Sequence, residues 1–341
     1  AGEHIVHAKH IIVATGSRPV VPAPWLKLGD KIITSDTIFE LEDLPQRIAV
    51  VGLGVIGLEI GQSLSRLGVD VIGIEMADTI GGISDPKVKE EAINIVREEF
   101  PVYLGQAAEL EDMEGGVRVK IGEETFEVDA VFAALGRRPN VDNMGWDKLG
   151  VPLDERGLPS HSQETMQIAD LPIFLAGDAN GTRQILHEAS DDGRIAGYNA
   201  LHYNEMKRFR QRTPLGIAFT EPNIAFVGKR FSELEEGTFV VGKASFGNQG
   251  RARIMHQNKG LMRLYADSTT KKLIGGEMIA PHAEHMAHSL SWCIQQEMEL
   301  IDILQQPIYH PVLEEGLRGA LRELVAKLYD HEKQFEMREI A

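Results

Sequence analysis

The chain has 341 residues, too many for one ordinary hydrophobic core, so two or three domains are expected. Its 43% apolar and 25% charged residues are a globular composition, and a net charge of −16 argues against nucleic acid or an anionic membrane as the main partner. The single cysteine, Cys293, excludes an internal disulfide framework and points to a reducing, cytoplasmic compartment; no apolar run is long enough to span a bilayer and no opening stretch reads as a signal peptide.

The first residues run without an initiator Met straight into Ile11-Ile12-Val13, which reads as an N-terminally incomplete chain. Residues 4–13 read as a strand ending in Ala14-Thr15-Gly16, and the Pro- and Gly-rich stretch 18–31 as a connecting loop. Arg47 to Val51 is a short β-branched run, Leu58 to Leu67 has helical periodicity closed by Gly68, and Val69 to Ile74 is the next strand, together a βαβ unit. Asp85-Pro86 opens a helix running to about Glu99. The acidic stretch Glu109 to Glu114 reads as a solvated loop, and Val117 to Ile121 with Thr125 to Ala134 as a hairpin. Ile173 to Ala176 is a buried strand ending in Gly177-Asp178, followed by a helix from about Gln184 to Met206 and a polar linker from Lys207 to Thr213. Beyond Pro214 the runs Phe219 to Val227, Thr238 to Ser245, Leu261 to Ala266 and Leu273 to Ile279 read as antiparallel strands, with helices over Ala283 to Gln296 and Leu313 to His331, a separate α+β domain.

The Gly-x-Gly-x-x-Gly of Gly52, Gly54 and Gly57 lies between a strand and an amphipathic helix, the context a dinucleotide fingerprint requires. Gly52 permits the tight turn, Gly54 lets the backbone approach a pyrophosphate, Gly57 lets the helix pack close on the strand, and the free amides at the helix start stabilise the phosphates. Glu75, at the end of the second strand, stands where a ribose-binding acid is expected, and Met76 to Ser84 holds no Arg or Lys for a 2′-phosphate, so NAD is expected over NADP. His310, ahead of a predicted helix whose first turn would suit Pro311, reads by itself more readily as a capping or packing His than as a general acid–base residue.

Ala14-Thr15-Gly16, the glycine fingerprint continued by Leu58-Glu59, Ala134-Leu135-Gly136-Arg137-Arg138-Pro139-Asn140, Phe174-Leu175-Ala176-Gly177-Asp178 and Tyr309-His310-Pro311-Val312-Leu313-Glu314-Glu315 follow one another in an order that resembles the pyridine nucleotide-disulfide oxidoreductases, and within them the dihydrolipoamide dehydrogenases, over essentially the whole chain. The resemblance implies an oxidoreductase with FAD and NAD as cofactors. It implies an α/β fold: a Rossmann-like NAD domain with the remainder of an FAD domain, plus a C-terminal α+β dimerisation domain. The expected boundaries are 1–35 and 139–212 for the two parts of the FAD domain, 36–138 for the NAD domain and 213–341 for the interface domain. On the matching positions it assigns Ala14, Thr15, Gly16, Gly136, Gly177 and Asp178 to FAD, the helix start at Leu186 and His187 to the flavin ring, and Gly52, Gly54, Gly57, Glu59 and Glu75 to NAD. His310 and Glu315 match the family's acid–base pair, which acts across a homodimer interface on a dithiol or lipoyl-domain substrate.

The family's N-terminal FAD fingerprint and its redox cysteine pair would both precede Ala1, and Ile308 and Val312 stand where the family often carries His and Thr. The chain as it stands is therefore expected to bind FAD poorly and to be inactive on dithiols. Two rival functions are an FAD- and NAD(P)H-dependent oxidase or soluble transhydrogenase that needs no thiols, and a non-catalytic NAD-binding dimer. His282, His285 and His288 crowd together without an Asp or Cys companion, so no metal is expected, and Cys293 reads as a buried structural thiol.

Overall fold

The computed structural model describes residues 4–330 and 335–337. The chain folds as two compact units, the first made of residues up to Val20 with Gly136–Arg212, the second of Val21–Leu135 with the residues from Thr213 onward. Residues 21–35 lie in the second unit, and Gly136–Arg138 in the first.

In the first unit, Ile11–Val13 pairs in parallel with Ile173–Leu175, and Ser17–Pro19 pairs antiparallel with Arg137–Pro139. The strand expected over 4–13 is only three residues long because its partner is only three residues long, so residues 4–10 have no ladder to join. The helix Leu186–Leu201 follows, shorter at its end than expected, with a single 3-10 turn over Tyr203–Glu205. Val141, Trp146, Leu158, Ile168, Ile173 and Leu175 form one core cluster, and Met166, Phe174, Ala176, Ile195 and Ala196 a second.

The second unit contains a five-stranded parallel sheet in the order Ile32–Ile33, Ala130–Ala133, Arg47–Val51, Asp70–Glu75, Val102–Leu104, with the helices Val55–Arg66 and Pro86–Val96 in its crossovers. Its central strands are buried almost throughout, as a parallel sheet covered on both faces requires. The expected hairpin arm Thr125 to Ala134 is two strands. Glu124–Val128 stays antiparallel with Gly116–Ile121, and Ala130–Ala133 leaves for the parallel sheet. Asp129 makes the break: its carboxylate accepts the Arg47 amide at 2.8 Å and the Arg47 guanidinium at 2.8 Å, fixing the corner to the neighbouring strand. The acidic stretch expected as a loop is the strand Glu109–Met113, which pairs with Gly116–Ile121 and sets Leu110 opposite Val119. Most of the other side chains of that strand are charged and solvated, which is why its composition alone concealed it.

Beyond Thr213 a five-stranded antiparallel sheet runs in the order Leu215–Ala218, Asn223–Gly228, Leu273–Ala280, Leu261–Asp267, Phe239–Ser245. The strand expected over Phe219 to Val227 begins only at Asn223, because Phe219–Pro222 is the connection from Leu215–Ala218 and Pro222 has no amide for a ladder. Helices Ala283–Gln295 and Glu315–Leu328 pack on the sheet through Met286, Leu290, Leu317, Leu321 and Leu324. Cys293, expected to be buried, is half-buried against this core, and burial pushes its thiol above the usual range. Among the described residues no helix is long and apolar enough to cross a membrane.

A buried ionic cluster ties the helix Pro86–Val96 to the antiparallel sheet. Asp85 is fully buried, caps that helix by accepting the amides of Lys87 (2.9 Å) and Val88 (3.2 Å), and also accepts from the Arg263 guanidinium (2.8 Å) and the Tyr265 hydroxyl (2.9 Å). Burial, with the charges of Glu277 and Asp85, pushes the Tyr265 hydroxyl far above its ordinary range, so it remains a donor at any working pH. Removing one partner of a buried pair strands the other charge, so Asp85→Ala is expected to cost about 3–5 kcal/mol in urea unfolding. Asp85→Asn keeps a capping acceptor but removes the charge, so it should cost nearly as much; a loss close to zero in Asp85→Asn would refute the charge argument.

Candidate functional site

The glycine turn shows why each glycine is where it is. Gly52 has φ 95°, and a Cβ there would lie 2.3 Å from the Ala134 carbonyl oxygen. A Cβ on Gly57 would lie 1.8 Å from the Gly52 carbonyl oxygen, so the helix Val55–Arg66 can meet the strand only without a side chain at that position. Gly54 differs: its φ is −68° and nothing stands within 4 Å of the place a methyl would take, so the space above it is open. The helix starts there with no side-chain cap, leaving first-turn amides for an anion. Glu75 lies at the same turn: its carboxylate accepts the Leu53 amide at 2.7 Å and the Ala77 amide at 3.0 Å, which uses two of its roughly four lone-pair positions. These residues fit a dinucleotide, with open space and free amides for the phosphates and acceptor capacity for ribose hydroxyls.

Glu59 is engaged elsewhere. Its carboxylate accepts the Phe219 amide at 2.7 Å and fastens the helix to the antiparallel sheet. Two cations outside the window 76–84 also reach that loop. Lys89 pairs with Asp78 at 2.7 Å, and Arg230 donates to the Gly82 carbonyl at 2.6 Å while lying 3.7 Å over the Phe226 ring. Neither was visible locally, because one is carried on the next helix and the other by the distant sheet.

The first unit gathers its own set. Thr15 donates to the Asn140 carbonyl (2.6 Å), the Asn140 side chain donates to the Thr15 carbonyl (3.1 Å), and the Asn140 amide donates to the Gly16 carbonyl (2.9 Å). Ala14 continues the strand into this turn, and Gly16 takes a left-handed φ of 70°. Gly136, with φ 91°, accepts the Val20 amide through its carbonyl at 3.0 Å. Asp178 accepts the Ser17 hydroxyl at 2.7 Å, and Arg137 donates to that hydroxyl at 2.8 Å. The motifs around residues 14–16, 136–140 and 177–178 are therefore bonded to one another through Ser17, Arg137 and Asn140. Ser17 adjoins a quoted motif and the other two lie inside one, but their bonding role was not read from sequence.

Gly177 has φ 66°, and its amide points to Asp192 at 3.3 Å; Asn180 also donates to Asp192, at 2.7 Å. Asp192 was missed because an acid beside another in a helix, here Asp191, reads as solvated, yet it is buried, and burial raises its carboxyl above the ordinary range. A carboxyl with a raised folded pKa binds its proton more tightly when folded. Stability then falls as pH rises from the ordinary carboxylate range through the raised value. Thermal melts across mildly acidic pH should show this slope in the wild type and a flatter one in Asp192→Asn. Leu186 opens its helix largely exposed, and the exposed His187 lies 4.0 Å from Glu188, which is buried and paired with Arg183 at 2.8 Å.

In the second unit His310 and Glu315 meet: His310 Nδ1 lies 2.9 Å from Glu315 Oε1, and Glu315 Oε2 accepts the Val312 amide at 3.3 Å. The hydrogen bond from His310 holds the Glu315 carboxyl below its usual range. The imidazole side chain is 80% exposed, so its Nε2 is open to an incoming group. Glu315 starts the helix Glu315–Leu328, so a rigid element holds the carboxylate while the preceding loop presents the ring.

Residues 1–193 match the family pattern of the pyridine nucleotide-disulphide oxidoreductases, and residues 215–321 match the dimerisation domain of the same group. A dihydrolipoyl dehydrogenase of Chlamydia pneumoniae is 31% identical over 322 residues, covering 93% of this chain and 69% of that protein. One of Chlamydia muridarum is 33% identical over 319 residues, covering 91% and 68%. Among solved structures, the HOCl-induced flavoprotein disulfide reductase RclA from Escherichia coli superposes with a TM-score of 0.82 at 22% identity, over 93% of this chain and 74% of its own, a likeness of fold.

Proposed function

Because the chain belongs to the pyridine nucleotide-disulphide oxidoreductase family, we propose that it works as a homodimeric flavoenzyme that oxidises a dihydrolipoyl-type dithiol to the disulfide and reduces NAD+ to NADH with release of a proton. A bound FAD would supply the two-electron relay between the thiol side and the nicotinamide. The chain's residues supply binding and proton handling. Gly54 and the uncapped start of the helix Val55–Arg66 hold the NAD pyrophosphate, and Glu75 accepts the ribose hydroxyls. Asp178, steadied by Ser17, accepts from a ribityl hydroxyl, while Gly16, Gly136 and Gly177 let the backbone come close to FAD. His310 takes the thiol proton on Nε2, with Glu315 fixing the tautomer and stabilising the charged ring.

The His310–Glu315 pair carries this reading, since a positioned proton acceptor serves thiol oxidation and has no task in simple hydride exchange. The full-length holoenzyme with FAD should form NADH from NAD+ and dihydrolipoamide, followed at the NADH absorbance band. One rival is a thiol-independent oxidase or transhydrogenase. Rapid NADH oxidation by oxygen or by a second nucleotide, with no response to dithiol, would establish that rival instead.

A further inference from the structure

A second cluster of polar side chains stands apart from the residues above, where the strand Leu273–Ala280 passes into the helix Ala283–Gln295. His282 caps that helix in a left-handed conformation, φ 48° and ψ 41°, and its ring stacks on that of His285 with centroids 6.0 Å apart and planes 24° from parallel. Between them comes Glu284, the companion that sequence spacing overlooked. Its Oε1 lies 3.5 Å from His282 Nδ1 and 3.5 Å from His285 Nε2, and one donor atom from each of the three residues lies within 4.8 Å of the others.

From this convergence we infer that His282, Glu284 and His285 form a binding site for a divalent transition-metal ion of the zinc and cobalt class. Two distances of 3.5 Å are long for charge-assisted hydrogen bonds. They match ligands around an ion, since bonds of about 2.1 Å put tetrahedral neighbours about 3.4 Å apart. Glu284 Oε2 is shut from solvent and has no hydrogen-bond partner among the described residues, an unmet acceptor that a cation would satisfy. Two imidazoles with one carboxylate and no thiolate select borderline divalent ions over calcium or magnesium, which prefer oxygen throughout, and leave positions for water. His288 is not among the residues whose donor atoms converge; its Nδ1 lies 2.6 Å from the Glu284 carbonyl oxygen.

The test is a calorimetric titration of the chelator-treated chain with Zn(II), alongside Co(II) absorption spectra. One strong ion per chain is expected, with affinity about 10- to 100-fold weaker in His282→Asn, Glu284→Gln or His285→Asn and unchanged in His288→Asn. Wild-type affinity in the three ligand variants, or no Zn(II) uptake by the wild type, overturns the site. Should a variant fold poorly, X-ray absorption of the Zn(II)-loaded wild type decides instead: two imidazoles in the coordination shell sustain the site, and none or one removes it.

Discussion

Gly57→Ala is expected to abolish NADH binding and to lower the melting temperature, whereas Gly54→Ala should leave the fold intact and still weaken NADH. The difference comes from where each methyl would go. At Gly57 it would fall 1.8 Å from the Gly52 carbonyl oxygen, backbone that cannot swing aside, so the helix must move off the strand and the turn opens. Overpacking of this kind costs about 1–3 kcal/mol or more. Loss of the turn should weaken NADH more than hundredfold, about 3 kcal/mol of binding energy. At Gly54 the backbone already has a φ that alanine accepts and no atom lies within 4 Å, so the unliganded protein has no reason to object. The methyl instead fills the space through which a pyrophosphate would approach, and the dissociation constant should rise about tenfold to hundredfold, roughly 1.4–2.8 kcal/mol. Titration calorimetry with NADH and thermal melts separate the two effects. A Gly54→Ala protein with native stability and wild-type NADH affinity would remove the turn from the cofactor site.

His310→Asn in the holoenzyme should lower kcat for dithiol oxidation by about 10²- to 10⁴-fold, the range for a lost general base. Transfer from NADH to an artificial one-electron acceptor needs no thiol proton and should be unchanged, which distinguishes a chemical role from a general loss of structure. Glu315→Gln should cost less, about tenfold, because the carboxylate orients the ring without itself taking the proton. The pH behaviour follows from the carboxylate. Its folded pKa is depressed by the His310 hydrogen bond, so Glu315 stays ionised at neutral pH, and its contribution is lost only as pH falls through that depressed value. Since both side chains are substantially exposed, the pair matters for proton transfer far more than for stability. An unaltered dithiol rate in His310→Asn would remove the proton-acceptor role from His310.

The division between local pattern and distant pairing is visible residue by residue. The glycine spacing at 52, 54 and 57, the helix after it and Glu75 at the next strand end could be read directly, because tight turns and helix–strand packing are steric demands that act within a few residues. The proximity of His310 and Glu315 follows from the same short range, five positions across a helix start. Where the chain changes direction was hidden. Asp129 breaks the run 125–134 because Arg47, 82 positions earlier, holds its carboxylate. Glu109–Met113 becomes a strand because Gly116–Ile121 offers a ladder and sets Val119 against Leu110. Ser17 meets Asp178 across 161 positions, and Arg230 reaches the Gly82 carbonyl across 148. Hydrogen bonds of that kind depend on which surfaces packing brings together. A linear pattern of apolar and polar residues records which faces are buried, and leaves open which distant groups they are buried against.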